Sequence, residues 1–186
     1  MSQLDKHREA DFILRDMTEQ DIPEVLLMER HVFGSMAWTS KDFSQAVTAK
    51  YDYPIVITET LEAERQTAAA EPCQDKETVP DGEKTNASQM RILGYAVLRI
   101  LGPEAEIENI CVDESARRSG LGQQLMEEML LRSTTAGAEK VFLEVRSQNE
   151  PAKALYTSAG FIEQYVRKHY YREPDDDAII MMKHLI

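Results

Sequence analysis

Between Glu104 and Thr135 the chain changes its period, and the change leaves few folds open. EAEIENICV, residues 104–112, reads as a strand. After the polar stretch DESARRSG, Leu121, Leu125 and Met129 recur every four residues with Met126 and Leu130 beside them, which is the apolar stripe of a helix. A strand that passes through a short glycine loop into a helix sets free backbone N–H groups at the helix start, where the helix dipole adds positive potential. Gly120 and Gly122 permit close approach and unusual dihedrals, and Arg117 and Arg118 add charge. RRSGLG is therefore a candidate anion site; a tight loop packed closely on the sheet accounts for the same residues. The spacing is neither G-x-x-x-x-G-K-[ST] nor G-x-G-x-x-G, which excludes a P-loop and a dinucleotide fingerprint. The strand also carries a fault: Ile107 and Ile110 are three apart, not two. A β-bulge would leave that phase slip, and so would a strand buried on both faces.

The same alternation extends along the chain. FILRDMT has strand composition, and EQDIPEVLLMERHVF reads as a helix with Asp21 near its start and Pro23 in its first turn. TSKDFSQAVTA reads as a second, short helix capped by Thr39 or Ser40, and YPIVITE as a β-branched strand. RILGYAVLRI and KVFLEVR are further strands; NEPAKALYTSAG is a short helix opened by Asn149, with Pro151 in its first turn and Gly160 at its end. FIEQYVRKHYY and DDAIIMMKHLI close the chain as a pair of strands. Interleaved strands and helices imply an α/β or α+β class with a mixed sheet.

One segment breaks the pattern. From Glu59 to Gln89 there are eight acidic and three basic residues, with Leu61 and Val79 the only large aliphatics. Such a stretch buries too little apolar surface to offset its ordering, so residues 59–89 are expected to be a disordered acidic insertion in a single domain spanning 1–186. The functional alternative is a lid or docking arm.

The 186 residues carry a formal net charge of −12. No basic patch suggests direct nucleic-acid binding, no apolar run suggests a membrane span, and the polar start MSQLDKHREADF is not a secretory signal. A cytoplasmic protein is expected. Cys73 and Cys111 make a poor disulfide framework, in keeping with a reducing compartment, and the four histidines show no metal-ligand spacing.

NICVDESARRSGLGQQLMEEML, VFLEVRSQNEPAKALYTSAGF and RKHYY…DDDAIIM together resemble the GNAT superfamily of acyl-CoA N-acetyltransferases, and within it the RimI type, the ribosomal-protein-alanine N-acetyltransferases. The likeness is dense from about Asn109 to Met182 and looser before Ile57, and the 59–89 insertion is foreign to it. It implies a mixed, mostly antiparallel central sheet of six or seven strands flanked by four helices. Acetyl-CoA would be the cosubstrate, with no metal, and the partner a protein with a basic N-terminal tail, a ribosomal protein; a monomer is favoured.

The resemblance also implies roles. The anion becomes the pyrophosphate of acetyl-CoA, held on the amides of Arg117, Arg118, Ser119, Gly120, Leu121 and Gly122. The backbone of Ile110, Cys111 and Val112 would bind the acetyl and pantetheine arm, and a bulge there would splay two strands into a slot. Asn149 would contact the coenzyme as well as cap its helix. Glu144, of the LEVR motif, would be the general base for an amine attacking the thioester, and Tyr156, of the ALY motif, the acid that protonates the departing thiolate. Arg167, Tyr170 and Tyr171 would wall the peptide side, and Phe33 and Trp38 would do the same from the first helices.

Each role has a plainer counterpart. Phe142, Glu144 and Arg146 share one face of their strand, so Glu144 is either a partly desolvated carboxylate of raised pKa or half of a Glu144–Arg146 surface ion pair. Tyr156 lies on a helical stripe with Ala152, Leu155 and Ala159 and could be a core tyrosine. Proton transfer from a phenol at ~10 to a thiolate near ~8.5 is uphill, so its effect should be modest. Cys111 lacks the His and Asp partners of a nucleophile and reads as a small buried side chain. Three functions follow: acetylation of the N-terminal alanine of small-subunit ribosomal protein eighteen; relaxed acetylation of lysine or small amines; or non-catalytic acyl-CoA binding.

Overall fold

The computed structural model describes residues 12–61 and 89–185. Cys73 and most of the acidic segment lie outside these residues.

Seven strands form one sheet in the order β1-β2-β3-β4-β5-β7-β6. They are β1 (Phe12–Asp16), β2 (Asp52–Leu61), β3 (Gln89–Leu101), β4 (Glu104–Val112), β5 (Lys140–Arg146), β6 (Ile162–Arg172) and β7 (Asp175–His184). Four helices interrupt them: α1 (Ile22–Phe33), α2 (Ser40–Thr48), α3 (Leu121–Thr135) and α4 (Glu150–Ser158). All neighbouring strands are antiparallel except β4 and β5. The mixed seven-stranded sheet with four helices is the expected class. The edges of the expected insertion are corrected: Glu59–Leu61 belong to β2 and Gln89 to β3, with Leu61 opposite Gln89 across the ladder.

Local chemistry sets the helix ends. Thr39 and Asp42 form a reciprocal capping box at the start of α2, with the Thr39 N–H donating to the Asp42 carboxylate at 2.7 Å. Asn149 Oδ1 accepts from the Ala152 N–H at 3.2 Å and starts α4. At α1, Pro23 occupies the first turn, where its missing N–H costs nothing.

The core has two halves, one on each face of the sheet. α3 and α4 cover one face, with Leu121, Leu125, Met129 and Tyr156 packed on Leu98, Val141 and Met181. α1 and α2 cover the other, with Val25, Leu26, Phe43 and Ala46 on Val56, Tyr95 and Val97. A strand between two such layers is apolar on both sides.

The phase slip in β4 is a bulge. Val97 opposes Asn109 and Leu98 opposes Ile107, so Glu108 is the extra residue. Ile107 and Ile110 therefore share the α3–α4 face, while Asn109 and Cys111 meet the α1 layer. Beyond the bulge the sheet opens: β4 pairs with β5 only as far as Ile107 and Leu143. Gly94 lets β3 stay close to β4 here, because a Cβ on it would stand 2.8 Å from the Cys111 carbonyl oxygen.

Candidate active site

At the mouth of this opening the chain turns into α3. Gly120 is the N-cap at φ +86°, and Arg118 is also left-handed at φ +65°. No side chain caps the helix. The first intrahelical bond runs from the Gln124 N–H to the Gly120 carbonyl at 3.1 Å. Among the described residues, the N–H groups of Arg118, Ser119, Gly120, Leu121, Gly122 and Gln123 find no protein acceptor. Six successive amides without acceptors at a helix start make a strong anion seat. Nothing stands within 4 Å of the space a Gly120 Cβ would occupy, and Gly122 sits against Leu155 of α4 and Val112 of β4. Arg117 is tied to the end of β4, its Nε donating to the Val112 carbonyl at 3.3 Å. The loop, the free end of β4 and Leu155 of α4 thus meet at one place.

Glu144 and Tyr156 lie on opposite faces of the sheet. Val141, Leu143 and Val145 are buried under α3, so Phe142, Glu144 and Arg146 face the other way. Glu144 does pair with an arginine, but not with Arg146. Its carboxylate accepts from Arg167 of β6, two strands away. Arg146 instead stacks 4.0 Å from the centre of the Tyr171 ring and donates to the carbonyls of Glu173 and Pro174. Across a sheet, neighbours in register compete with neighbours in sequence, and here Arg167 wins. Glu144 also borders a cavity of about 300 Å³ that runs along the sheet between Glu104, Glu106, Phe142, Tyr165 and Arg167.

Tyr156 is buried in the α3–α4 core, its ring 6.3 Å from that of Phe161. Its hydroxyl bonds no protein group among the described residues. Burial raises its pKa well above the usual phenol value, and Tyr171 and Cys111 push it further. Tyr171 is itself pushed up to about 12, first by burial and then by Glu144. Cys111 is almost fully buried and its thiol is pushed up to about 12 by burial and by Glu29, which leaves little thiolate for nucleophilic attack.

The residues expected to wall the peptide lie on two elements, Arg167, Tyr170 and Tyr171 on β6 and Phe33 and Trp38 at and after the end of α1. Tyr170 and Tyr171 pack edge to face at 5.1 Å, and the Arg167 guanidinium lies 5.5 Å from the Tyr170 ring. On the other side, Phe33 ends α1 half exposed, and Trp38 packs on Phe43 at 5.3 Å. The segments beside these residues meet: the Ser35 hydroxyl donates to the Glu173 carboxylate at 3.3 Å.

One residue escaped the sequence reading. Glu29 of α1 is 1% exposed. Its carboxylate accepts from the Trp38 N–H at 2.7 Å, from the Tyr95 hydroxyl, and from the Asn109 side-chain amide at 3.2 Å to each oxygen. The signal was present: Ile22, Val25, Leu26 and Glu29 occupy one helical stripe, so the acid sits where an apolar residue belongs. Among the described residues no group of three or more His, Cys, Asp or Glu is placed to share a metal ion, and no helix is long and apolar enough to cross a membrane.

Known proteins share this fold and part of this sequence. Residues 47–161 match the family model described as the acetyltransferase (GNAT) family. Over 93 residues the chain is 40% identical to the [ribosomal protein bS18]-alanine N-acetyltransferase of Salmonella typhimurium, an alignment covering 49% of this chain and 63% of that protein. The enzyme of the same name from Escherichia coli is 39% identical over 93 residues, or 49% of this chain and 63% of its own length. The matched segment thus spans less than two thirds of either relative. The crystal structure of the ribosomal-protein-S18-alanine N-acetyltransferase from Escherichia coli superposes with a TM-score of 0.69 over 94% of both chains at 25% identity. Arabidopsis thaliana NAA60 in complex with acetyl-CoA shares the fold at a TM-score of 0.71 and 17% identity, over 94% of this chain and 98% of that one. With more than half of its length matched by the family model, this chain belongs to the acetyltransferase (GNAT) family.

Proposed function

We propose that this protein transfers the acetyl group of acetyl-CoA to the α-amine of a protein N-terminus, the acceptor being the N-terminal alanine of ribosomal protein bS18. The observation that carries the reading is the row of six acceptor-free amides, Arg118 to Gln123, beside the gap between β4 and β5. The row fits the diphosphate of the coenzyme, and the gap leads from it toward Glu144. The names of the Salmonella and Escherichia coli relatives support the acceptor. The acidic balance of −12 favours a basic tail by long-range attraction.

In this reading the pyrophosphate rests on the α3 amides, and the pantetheine arm lies along Ile110, Cys111 and Val112, with Asn149 at its flank. The acceptor enters between Phe33 and Trp38 on one side and Arg167, Tyr170 and Tyr171 on the other. The neutral amine attacks the thioester carbonyl; the C–N bond forms and the C–S bond breaks. The amine proton passes to Glu144, directly or through a water. A second proton, from Tyr156, satisfies the departing thiolate. An α-amine ionises at ~7.7–8.0, so a substantial fraction is already neutral near physiological pH and Glu144 has one proton to take as the C–N bond forms. Arg167 keeps the Glu144 carboxylate aimed across the sheet and exchanges its ion pair for a hydrogen-bonded one as the base takes its proton. The whole chain is read as one domain, with residues 62–88 as an insertion dispensable for the chemistry.

A panel assay tests the reading. Purified protein with acetyl-CoA is given peptides beginning Ala-Arg, the same peptides with a blocked N-terminus, and free lysine. Acetylation confined to the open α-amine of the alanine peptide is the predicted result. Transfer to lysine with equal efficiency would support the relaxed enzyme, and coenzyme binding without any turnover would support a binding module.

A further inference from the structure

Glu29 has no part in the chemistry above, yet at 1% exposure it is the most deeply buried acid among the described residues. Each of its partners belongs to a different element. Trp38 lies on the segment between α1 and α2, Tyr95 on β3, and Asn109 on β4 immediately after the bulge residue. Asn109 also directly precedes Ile110, where β4 has parted from β5. One carboxylate therefore fixes the distance between an acceptor wall and the free strand edge.

A carboxylate suits this task because it only accepts, and the Trp38 N–H and Asn109 NH2 can only donate while the Tyr95 hydroxyl donates here. Glutamine has only one accepting oxygen for these donors, so the Tyr95 hydroxyl must turn round to accept from its NH2 and the charge-assisted bonds to Trp38 and Asn109 are lost. Burial raises the pKa of Glu29, and the bonds from Trp38 and Asn109 offset this only in part. An acid kept at such a cost on an apolar stripe calls for a reason beyond packing.

We propose that Glu29 is a positioning residue that sets the acceptor entrance by clamping Trp38 to Asn109. This rests on the acetyl-transfer reading above, so its test includes a readout that needs no substrate. Trp38 is the only tryptophan of the chain and reports on the clamp directly.

In Glu29→Gln, Trp38 emission shifts to the red and acrylamide quenches it more readily. The KM for an Ala-Arg peptide rises about tenfold, the effect of one lost hydrogen bond to a charged group. The KM for acetyl-CoA stays within about twofold, because the α3 amides are untouched. Glu29→Gln with Asn109→Asp rebuilds the clamp with polarity reversed, the amide now on α1 donating to the carboxylate now on β4, and restores both fluorescence and peptide KM. Asn109→Ala, which removes only the β4 tie, moves both readouts in the same direction by less and serves if the first variant fails to fold. Unchanged fluorescence and quenching in a folded Glu29→Gln protein would overturn the clamp, whatever the enzyme's acceptor. So would a parallel loss of kcat and of both KM values that the double variant does not recover, since that is the mark of general destabilisation.

Discussion

At the scale of single residues, Glu144 and Tyr156 carry unequal burdens in the proposed transfer. Replacing Glu144 by Gln removes the proton acceptor but keeps its shape, and should lower kcat by about 10²-fold or more. The rate should also change its dependence on pH, following only the amine's own ionisation; stopped assays across pH check both, and an unchanged profile would remove Glu144 as the base. Tyr156 differs. Its raised pKa keeps the hydroxyl protonated through the neutral and mildly alkaline range, so its titration should add no descending limb to the profile there. A weaker acid is also a poorer donor to a thiolate, and Tyr156→Phe should cost less than about tenfold in kcat. A loss as large as that of Glu144→Gln would mean that the phenol does more than donate a proton. The LEVR and ALY motifs brought these two residues to notice, but no local pattern could show that Glu144 bonds Arg167, which lies 23 positions further along and two strands away. Pairings across a sheet depend on register, and register is invisible in any short window of sequence. The same holds for Glu29, whose donors stand 9, 66 and 80 positions away.

Among the elements, β4 and α3 were the most legible. A three-residue spacing of isoleucines is a local feature, and so is a glycine loop before an apolar stripe. The bulge at Glu108 and the uncapped start of α3 both emerged as those patterns implied. Their contributions separate by mutation. At Gly120 the backbone is left-handed, so Gly120→Val costs about 1–2 kcal/mol of strain and places a branched side chain over the amide row. The expected outcome is a modest fall in Tm together with a much weakened KM for acetyl-CoA and an unchanged peptide KM. Deleting Glu108 tests the bulge. Without it, residues 109–112 exchange faces, which buries Asn109 under α3 and turns Ile110 toward Glu29. Such a protein should lose cooperative unfolding by circular dichroism, whereas Glu108→Ala, which keeps the extra residue, should retain it.

For the whole molecule, the two-sided core and the charge balance matter more than any one site. Leu61 and Gln89 are direct partners across the β2–β3 ladder. Residues 62–88 can therefore be replaced by an Asn-Gly turn with no change in register. If the segment is dispensable, Tm and acetyl-CoA affinity stay at their wild-type values; loss of peptide turnover alone would make it a substrate lid. Stability should also fall in acid. Burial by itself would raise the pKa of Asp21, but hydrogen bonds from Arg15 and from the N–H and hydroxyl of Thr18 outweigh it and hold the carboxyl below its usual range. A lowered folded value stabilises the protein above the ordinary aspartate pKa, and that contribution is lost as pH falls through the lowered one. Asp21→Asn should accordingly lower Tm at neutral pH and flatten the decline between about pH 4 and 2.

The claim on which the functional account turns is that the amides from Arg118 to Gln123 hold the coenzyme, and amide NMR addresses it directly. Acetyl-CoA is titrated into uniformly 15N-labelled protein, and the perturbed resonances are assigned. The largest shifts should fall on residues 118–123 and on Ile110–Val112, with Asn149 following. Saturable shifts centred elsewhere, or none at millimolar coenzyme, would contradict it.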